Sequence, residues 1–78
     1  MSWDAVDALL VEMSAMQEQK VLALARRILP HVTPEDLRNP HDFPPLVASA
    51  EFNYEDGILA GLRSAEIAVR AARRRSGA

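Results

Sequence analysis

Apolar residues recur at helical spacing over two long stretches of the chain, which are separated by a segment rich in proline. In the first stretch, apolar side chains follow one another every three or four positions from Trp3 onward and form one wide stripe. Ser2 is placed to cap this helix, and Pro30 disfavours helical backbone at the residue before it. The pattern predicts a first long helix over about residues 3–29.

The second stretch predicts another long helix, over about residues 54–74, followed by a frayed tail at 75–78. Asn53 is a candidate N-cap, and acids follow in the first turn, where the helix dipole favours them. Each glycine inside a helix costs about 1 kcal/mol relative to alanine. We therefore expect close packing of another helix against the small residues of this helix to offset that cost. The other helix would be either the first helix or a helix of a second copy of the chain. These small residues are Gly57, Gly61, Ala65 and Ala68.

The connector, about residues 30–53, is too apolar for a free linker and longer than most connections between helices. Thr33 followed by Pro34 predicts a short helical turn over about 34–38, and Pro44-Pro45 is expected to run extended. Aromatic residues concentrate near its end. They predict either a plug for the open end of a hairpin or an anchor for a protein partner. The candidate partner-binding residues are Phe43, Pro44, Pro45, Phe52 and Tyr54.

Together these elements predict a single all-α domain over residues 1–78, an antiparallel two-helix hairpin with a structured, proline-containing connector. Each helix of a hairpin has only one helical neighbour, so a wide apolar stripe on the first helix would stay partly in water. An exposed patch of that size marks an interaction site. We therefore expect two hairpins to pair by two-fold symmetry into a four-helix bundle. The predicted self-association residues are Leu9, Leu10, Met13 and Met16, with Gly57, Gly61, Ala65 and Ala68.

A polar turn, residues 17–20, interrupts the apolar stripe in the middle of the first helix. One interpretation is a solvated waist where the packing partner has ended. The other places Gln17 or Lys20 at a polar core position that fixes the register of a dimer.

The charge is uneven along a chain whose net charge is −2. Residues 63–78 hold five arginines and one glutamate, whereas residues 1–62 hold four basic and ten acidic residues. An antiparallel hairpin would bring the basic end beside Asp4, Asp7 and Glu12, so that the charges neutralise one another. The alternative is weak binding of nucleic acid through the C-terminal arginines, which we disfavour because no nucleic-acid-binding motif accompanies them.

Candidate chemistry is sparse. The chain has no cysteine, no nucleophile elbow and no phosphate-binding glycine loop. His31 and His41 lie near carboxylates, so a metal site or a small enzymatic subunit is an alternative; yet neither histidine has the spacing of a helical metal motif. The carboxylates in question are Glu35, Asp36 and Asp42.

The sequence therefore predicts a non-catalytic accessory protein without a cofactor, which forms a homo-oligomer, with a dimer favoured, and docks on an unidentified protein partner. The longest apolar runs fall far short of the roughly 20 residues that span a bilayer, and the N-terminus carries acids rather than a basic leader. We expect a cytoplasmic location and no membrane association.

Overall fold

In the computed structural model, which describes residues 1–77, two long helices lie side by side and antiparallel. Helix α1 spans Trp3–Ile28 and helix α3 spans Ala50–Arg75. Their packing produces a rod about 45 Å long and 19 Å wide. The described residues are all-helical or irregular, without a strand. Neither long helix carries a stretch apolar enough to cross a membrane.

Serine side chains cap both long helices. Ser2 Oγ accepts a hydrogen bond from the Ala5 N–H at 3.0 Å, which is the predicted cap. Ser49 Oγ accepts from the Phe52 N–H at 3.1 Å, so α3 begins at Ala50 rather than near residue 54. Asn53, the predicted cap, lies inside α3, where its side chain donates to the Val47 carbonyl. Helix α3 ends at Arg75, and the predicted tail includes Ala78, which lies outside the described residues.

The connector is built from short helical turns. Two 3₁₀ turns, Asp36–Arg38 and Pro40–Asp42, are followed by the four-residue helix α2, Pro44–Val47. Thr33 and Asp36 exchange side-chain to backbone hydrogen bonds at the start of the first turn, as expected of a capping residue. The prediction that Pro44-Pro45 runs extended is wrong. Proline fits the first turn of a helix because the N–H groups there have no helical partner.

The buried core sits at the connector end of the hairpin. Its fully buried members include Val21 of α1, Leu46 of α2 and Phe52 of α3. Among the described residues, every buried hydrophobic side chain lies between positions 21 and 59; the others are Leu22, Leu24, Ala25, Val32 and Leu59. The distal half of the hairpin, residues 3–20 of α1 with 60–75 of α3, therefore contributes no side chain to this core.

Helix α3 is rotated relative to the predicted orientation. Its buried residues are Phe52, Glu55 and Leu59, whereas one of the two predicted alternatives places its small residues against α1. A Cβ atom added at Gly57 or at Gly61 would meet no atom within 4 Å. Close packing of these two glycines against α1 is thus not present, and they face open space.

Candidate interaction surface

In the distal half of the hairpin, polar contacts join α1 to α3 beside half-buried apolar residues such as Leu10 and Val69. Ser14 is buried, and its hydroxyl donates to Glu66 Oε2 at 2.6 Å. Arg70 Nε lies 3.2 Å from Asp7 Oδ1, while its Nη2 lies 3.4 Å from Glu66 Oε1. At the end of the rod, Arg73 pairs with Asp4 at 2.7 Å. The predicted neutralisation of the basic end by Asp4 and Asp7 is confirmed.

The same pairing occupies much of the basic end. Arg63 also pairs with an acid of α1, Glu18, at 3.6 Å. Three of the five C-terminal arginines, Arg63, Arg70 and Arg73, therefore direct their charge toward α1 rather than toward a separate basic surface. This arrangement gives no support to nucleic-acid binding.

At the middle of the rod, Glu55 is a buried carboxylate that faces α1. Gln17 Nε2 donates both to the Glu55 carbonyl at 2.8 Å and to Glu55 Oε1 at 3.1 Å. Lys20 Nζ lies 3.2 Å from Glu55 Oε2. The hydrogen bond from Gln17, aided by the nearby Lys20, outweighs the effect of burial and lowers the pKa of Glu55 below its usual value. The polar turn of α1 is therefore neither simply solvated nor reserved for a dimer, because two of its residues bind Glu55 within the chain.

Asp56, the neighbour of Glu55, lies on one flank of the seam between the two long helices. Burial raises the pKa of Asp56, and the charge of Arg63 offsets this only in part. Both groups line a small polar cleft beside Glu18 and Leu37. This flank is occupied by connector residues and charges, which leaves it poorly suited to apolar packing.

An apolar face lies on the other flank of the seam. We define it by five residues of the two long helices: Leu9, Met13, Met16, Ile58 and Leu62. Leu9 is 47% exposed and Met16 is 67% exposed. Met13, Met16, Ile58 and Leu62 border a shallow groove of about 370 Å³, with Gln17 and Lys20 at its edge.

Helical spacing extends the apolar face along α3. Tyr54, 70% exposed, lies one turn before Ile58 on the same side. The small residues Gly61, Ala65 and Ala68 continue this side of α3 toward its C-terminal end. The apolar face therefore combines large side chains of α1 with both large and small side chains of α3.

The back of the rod has a weaker patch of the same kind. Val11 and Ile67 are exposed there. Val11 is two residues from Met13, and Ile67 is nine from Ile58; both spacings correspond to roughly opposite sides of a helix. Only two large side chains contribute, so the apolar face is the stronger candidate surface.

The predicted self-association residues divide between the seam and the apolar face. Leu9, Met13 and Met16 are exposed together on the apolar face, whereas Leu10 is half-buried. Gly57, Gly61 and Ala68 are exposed, and Ala65 is half-buried. Sequence reasoning missed the inward positions of Ser14, Glu55 and Leu59, although Leu59 lies one turn from Glu55 and two from Phe52.

The predicted partner-binding residues of the connector are not equivalent. Phe52 is 0% exposed and fills the core, so its side chain is not accessible to a partner. Phe43 is half-buried and borders a shallow apolar pocket of about 260 Å³, which Leu29, Pro30, His31, Val32 and Asp36 also line. Pro44 and Pro45 are exposed at the start of α2.

The histidine alternative finds no preformed site. Within residues 1–77, no group of three or more histidine, aspartate or glutamate side chains is arranged to hold a metal ion. Of the candidate ligands, Asp36 already accepts a hydrogen bond from the Thr33 N–H. His31, His41, Glu35 and Asp42 are exposed in the connector.

Comparison with known protein families, curated proteins and solved structures gives no match to this chain. Its function is therefore inferred from the apolar face and the polar seam alone.

Proposed function

We propose that this protein is a non-catalytic helical interaction module that self-associates through its apolar face, two hairpins forming a four-helix bundle. The observation that supports this most strongly is that one half of the rod holds the buried core while the other half exposes large apolar side chains. Buried hydrophobic residues are confined to positions 21–59, while Leu9, Met13 and Met16 stay exposed on the distal half. In that half, α1 and α3 meet through ion pairs and hydrogen bonds beside apolar residues that are only half-buried, such as Leu10 and Val69.

Energetics favour a second copy as the group that covers the face. A chain this small has a modest core and needs disulfides, a metal, association or very regular packing for stability. It has no cysteine, and the described part holds no preformed metal site. Exposed ion pairs contribute only about 0–1 kcal/mol each. Burying the large side chains of the apolar face contributes about 1.5–3 kcal/mol per fully buried side chain, so association supplies what the seam lacks.

Charge along the helices also fits a second copy. Helix α1 begins with Asp4 and Asp7 and ends with Arg26 and Arg27. Helix α3 likewise begins with acids and ends with three arginines. An antiparallel neighbour therefore meets opposite charge at both ends, and the helix dipoles add to this attraction. Docking of a different protein on the connector stays a prediction.

The test is the mass of the protein in solution as a function of its concentration. Sedimentation equilibrium should give twice the chain mass of 8.6 kDa, and the midpoint of thermal unfolding should rise with concentration. Met13→Glu should abolish the dimer and lower helicity. Gln19→Glu is the matched control, because Gln19 is exposed on the far side of α1. A wild-type chain that stays monomeric and fully helical at high concentration would refute the proposal.

A further inference from the structure

The two halves of the hairpin differ in what holds α1 against α3. In the connector half, residues 21–59, Val21 of α1 and Phe52 of α3 are fully buried, and Leu46 of α2 belongs to the same core. In the distal half, Ser14 is the one buried residue that the structure describes, and the hydrophobic side chains are half-buried or exposed. Apolar burial therefore supports the two long helices over one half of the rod.

The contacts of the distal half are of the kinds that stabilise a fold least. Its ion pairs are open to water, so screening and the lost freedom of long side chains leave them little net effect. Leu10 and Val69 are half-buried and withdraw only part of their surface from water. Most helical stability in proteins comes from packing of an apolar face, so the distal half has a lower free energy of opening than the connector half.

Helix α3 has its weakest helix-forming residues where the two halves meet. Gly57 and Gly61 lie one turn apart there, and glycine lowers helix stability because its backbone loses the most conformational freedom on folding. A Cβ atom at either position would meet no atom within 4 Å, so packing within the chain does not require glycine there. The two glycines therefore make it easier for the end of α3 to separate from the rest of the helix.

On α1, the contact between Gln17 and Glu55 sets how far such an opening extends. Gln17 donates to the buried carboxylate of Glu55 at 3.1 Å. Breaking this hydrogen bond would leave a buried charged group without that donor, which costs desolvation free energy. Opening therefore stops at Gln17, and the residues that separate are 3–16 of α1 and 62–75 of α3.

These two segments also carry four of the five residues of the apolar face. From the position of the core, the exposed ion pairs and the glycines, we infer that residues 3–16 and 62–75 open together in the single chain while the connector half stays folded, and that a second copy orders them by packing on the apolar face. This coupling rests on the proposed self-association. The binding surface is complete only in closed chains, so the apparent Kd rises as the closed fraction falls.

Amide hydrogen exchange, read by mass spectrometry at two protein concentrations, tests this coupling within one helix. Sedimentation equilibrium identifies a concentration at which the chain is monomeric and one at which it is dimeric. In the monomer, protection factors over residues 62–71 should be lower than those over residues 52–59 by a factor of about ten or more. In the dimer, protection over residues 62–71 should rise by a similar factor. Residues 72–75 are left out of the comparison because the last turn of any helix frays.

Met13→Glu supplies a monomer at any concentration, and position 13 lies outside the connector half, so residues 52–59 should stay protected in this variant. Gln19→Glu, on the exposed far side of α1, is the matched control and should exchange like the wild type.

Sedimentation and exchange together separate the outcomes. A monomer in which residues 52–59 and 62–71 are protected equally, whether strongly or weakly, overturns the coupling and leaves self-association standing. A dimer in which residues 62–71 gain no protection does the same. A chain that is monomeric at every concentration overturns the proposed function, and ordering by a second copy with it.

Discussion

Gln17 on α1 donates to both the backbone carbonyl and the carboxylate of Glu55 on α3, at 2.8 and 3.1 Å. A buried carboxylate thus lies at the boundary between the apolar core and the polar seam. Lys20 balances its charge from the exposed side. A shift of one helix along the other would separate Gln17 from Glu55 and leave a buried polar group without a partner, which costs its full desolvation free energy. This contact therefore fixes the register of the two helices.

Stability should decrease in acid because of Glu55. The pKa of Glu55 is lowered in the folded chain, first by the hydrogen bond from Gln17 and then by Lys20. A carboxyl group with a lowered folded pKa stabilises the fold above its unfolded value, near 4.5, and this contribution is lost as the pH falls through the folded pKa. Urea unfolding from pH 7 down to pH 3 should show this loss, and Glu55→Gln should make the dependence shallower.

The control for that experiment is Glu12→Gln, since Glu12 is exposed on α1. This variant should keep the wild-type pH dependence. Equal slopes for the wild type and Glu55→Gln would mean that the carboxylate does not form the contact in solution. Titration of the Glu55 side chain by NMR in Gln17→Ala gives an independent check, because its pKa should move upward when the hydrogen bond that lowers it most is removed.

Two aromatic residues of α3, two positions apart, should behave very differently. Phe52 is fully buried, whereas Tyr54 is exposed. Phe52→Ala should cost about 3–5 kcal/mol, enough to unfold a domain of this size. Tyr54→Ala should leave the helicity of the chain near the wild-type value. Circular dichroism and urea unfolding measure both, and a Tyr54→Ala variant as unstable as Phe52→Ala would contradict the described orientation of α3.

The start of α3 can be tested at its cap. Ser49→Ala removes the acceptor of the Phe52 N–H and should lower the unfolding free energy by about 1 kcal/mol. Ser64→Ala is the control, because Ser64 is exposed within the helix and alanine has the higher helix propensity. If Ser49→Ala proves neutral, α3 begins elsewhere.

The cap also illustrates what the sequence predicts and what it leaves open. Apolar spacing and the capping preference of serine located α1 almost to the residue. At α3, Ser49 and Asn53 are both good capping residues, and only the fold selects between them. The two prolines at 44 and 45 carried a usable signal, since proline is favoured in the first turn of a helix.

The side of α3 that faces α1 could not be predicted from the spacing of apolar and polar residues along the helix. Glu55 and Glu66 read as solvent-facing acids because an isolated carboxylate is costly to bury. They turn inward because α1 supplies Gln17 and Ser14 as donors across the seam. Such pairing depends on residues 38 and 52 positions apart in the chain, which no local pattern records. The exposure of Met13 and Met16, by contrast, was predictable, because the apolar stripe of α1 is wider than a single helical neighbour can cover.

Gly61 links the fold of one chain to its association. In the single chain, a side chain at this position meets open space, so Gly61→Ala should stabilise α3 by about 1 kcal/mol at concentrations where the protein is monomeric. Gly61→Leu should instead weaken association, by at least tenfold in Kd, or about 1.4 kcal/mol, because Gly61 lies next to Leu62 on the apolar face and a leucine there would hold a second copy away from it. Ala60→Leu is the control, since Ala60 is exposed on the neighbouring side of the helix and should leave Kd unchanged. Sedimentation equilibrium measures Kd for all three variants. A Gly61→Leu dimer as tight as that of the wild type would show that nothing packs on this side of α3.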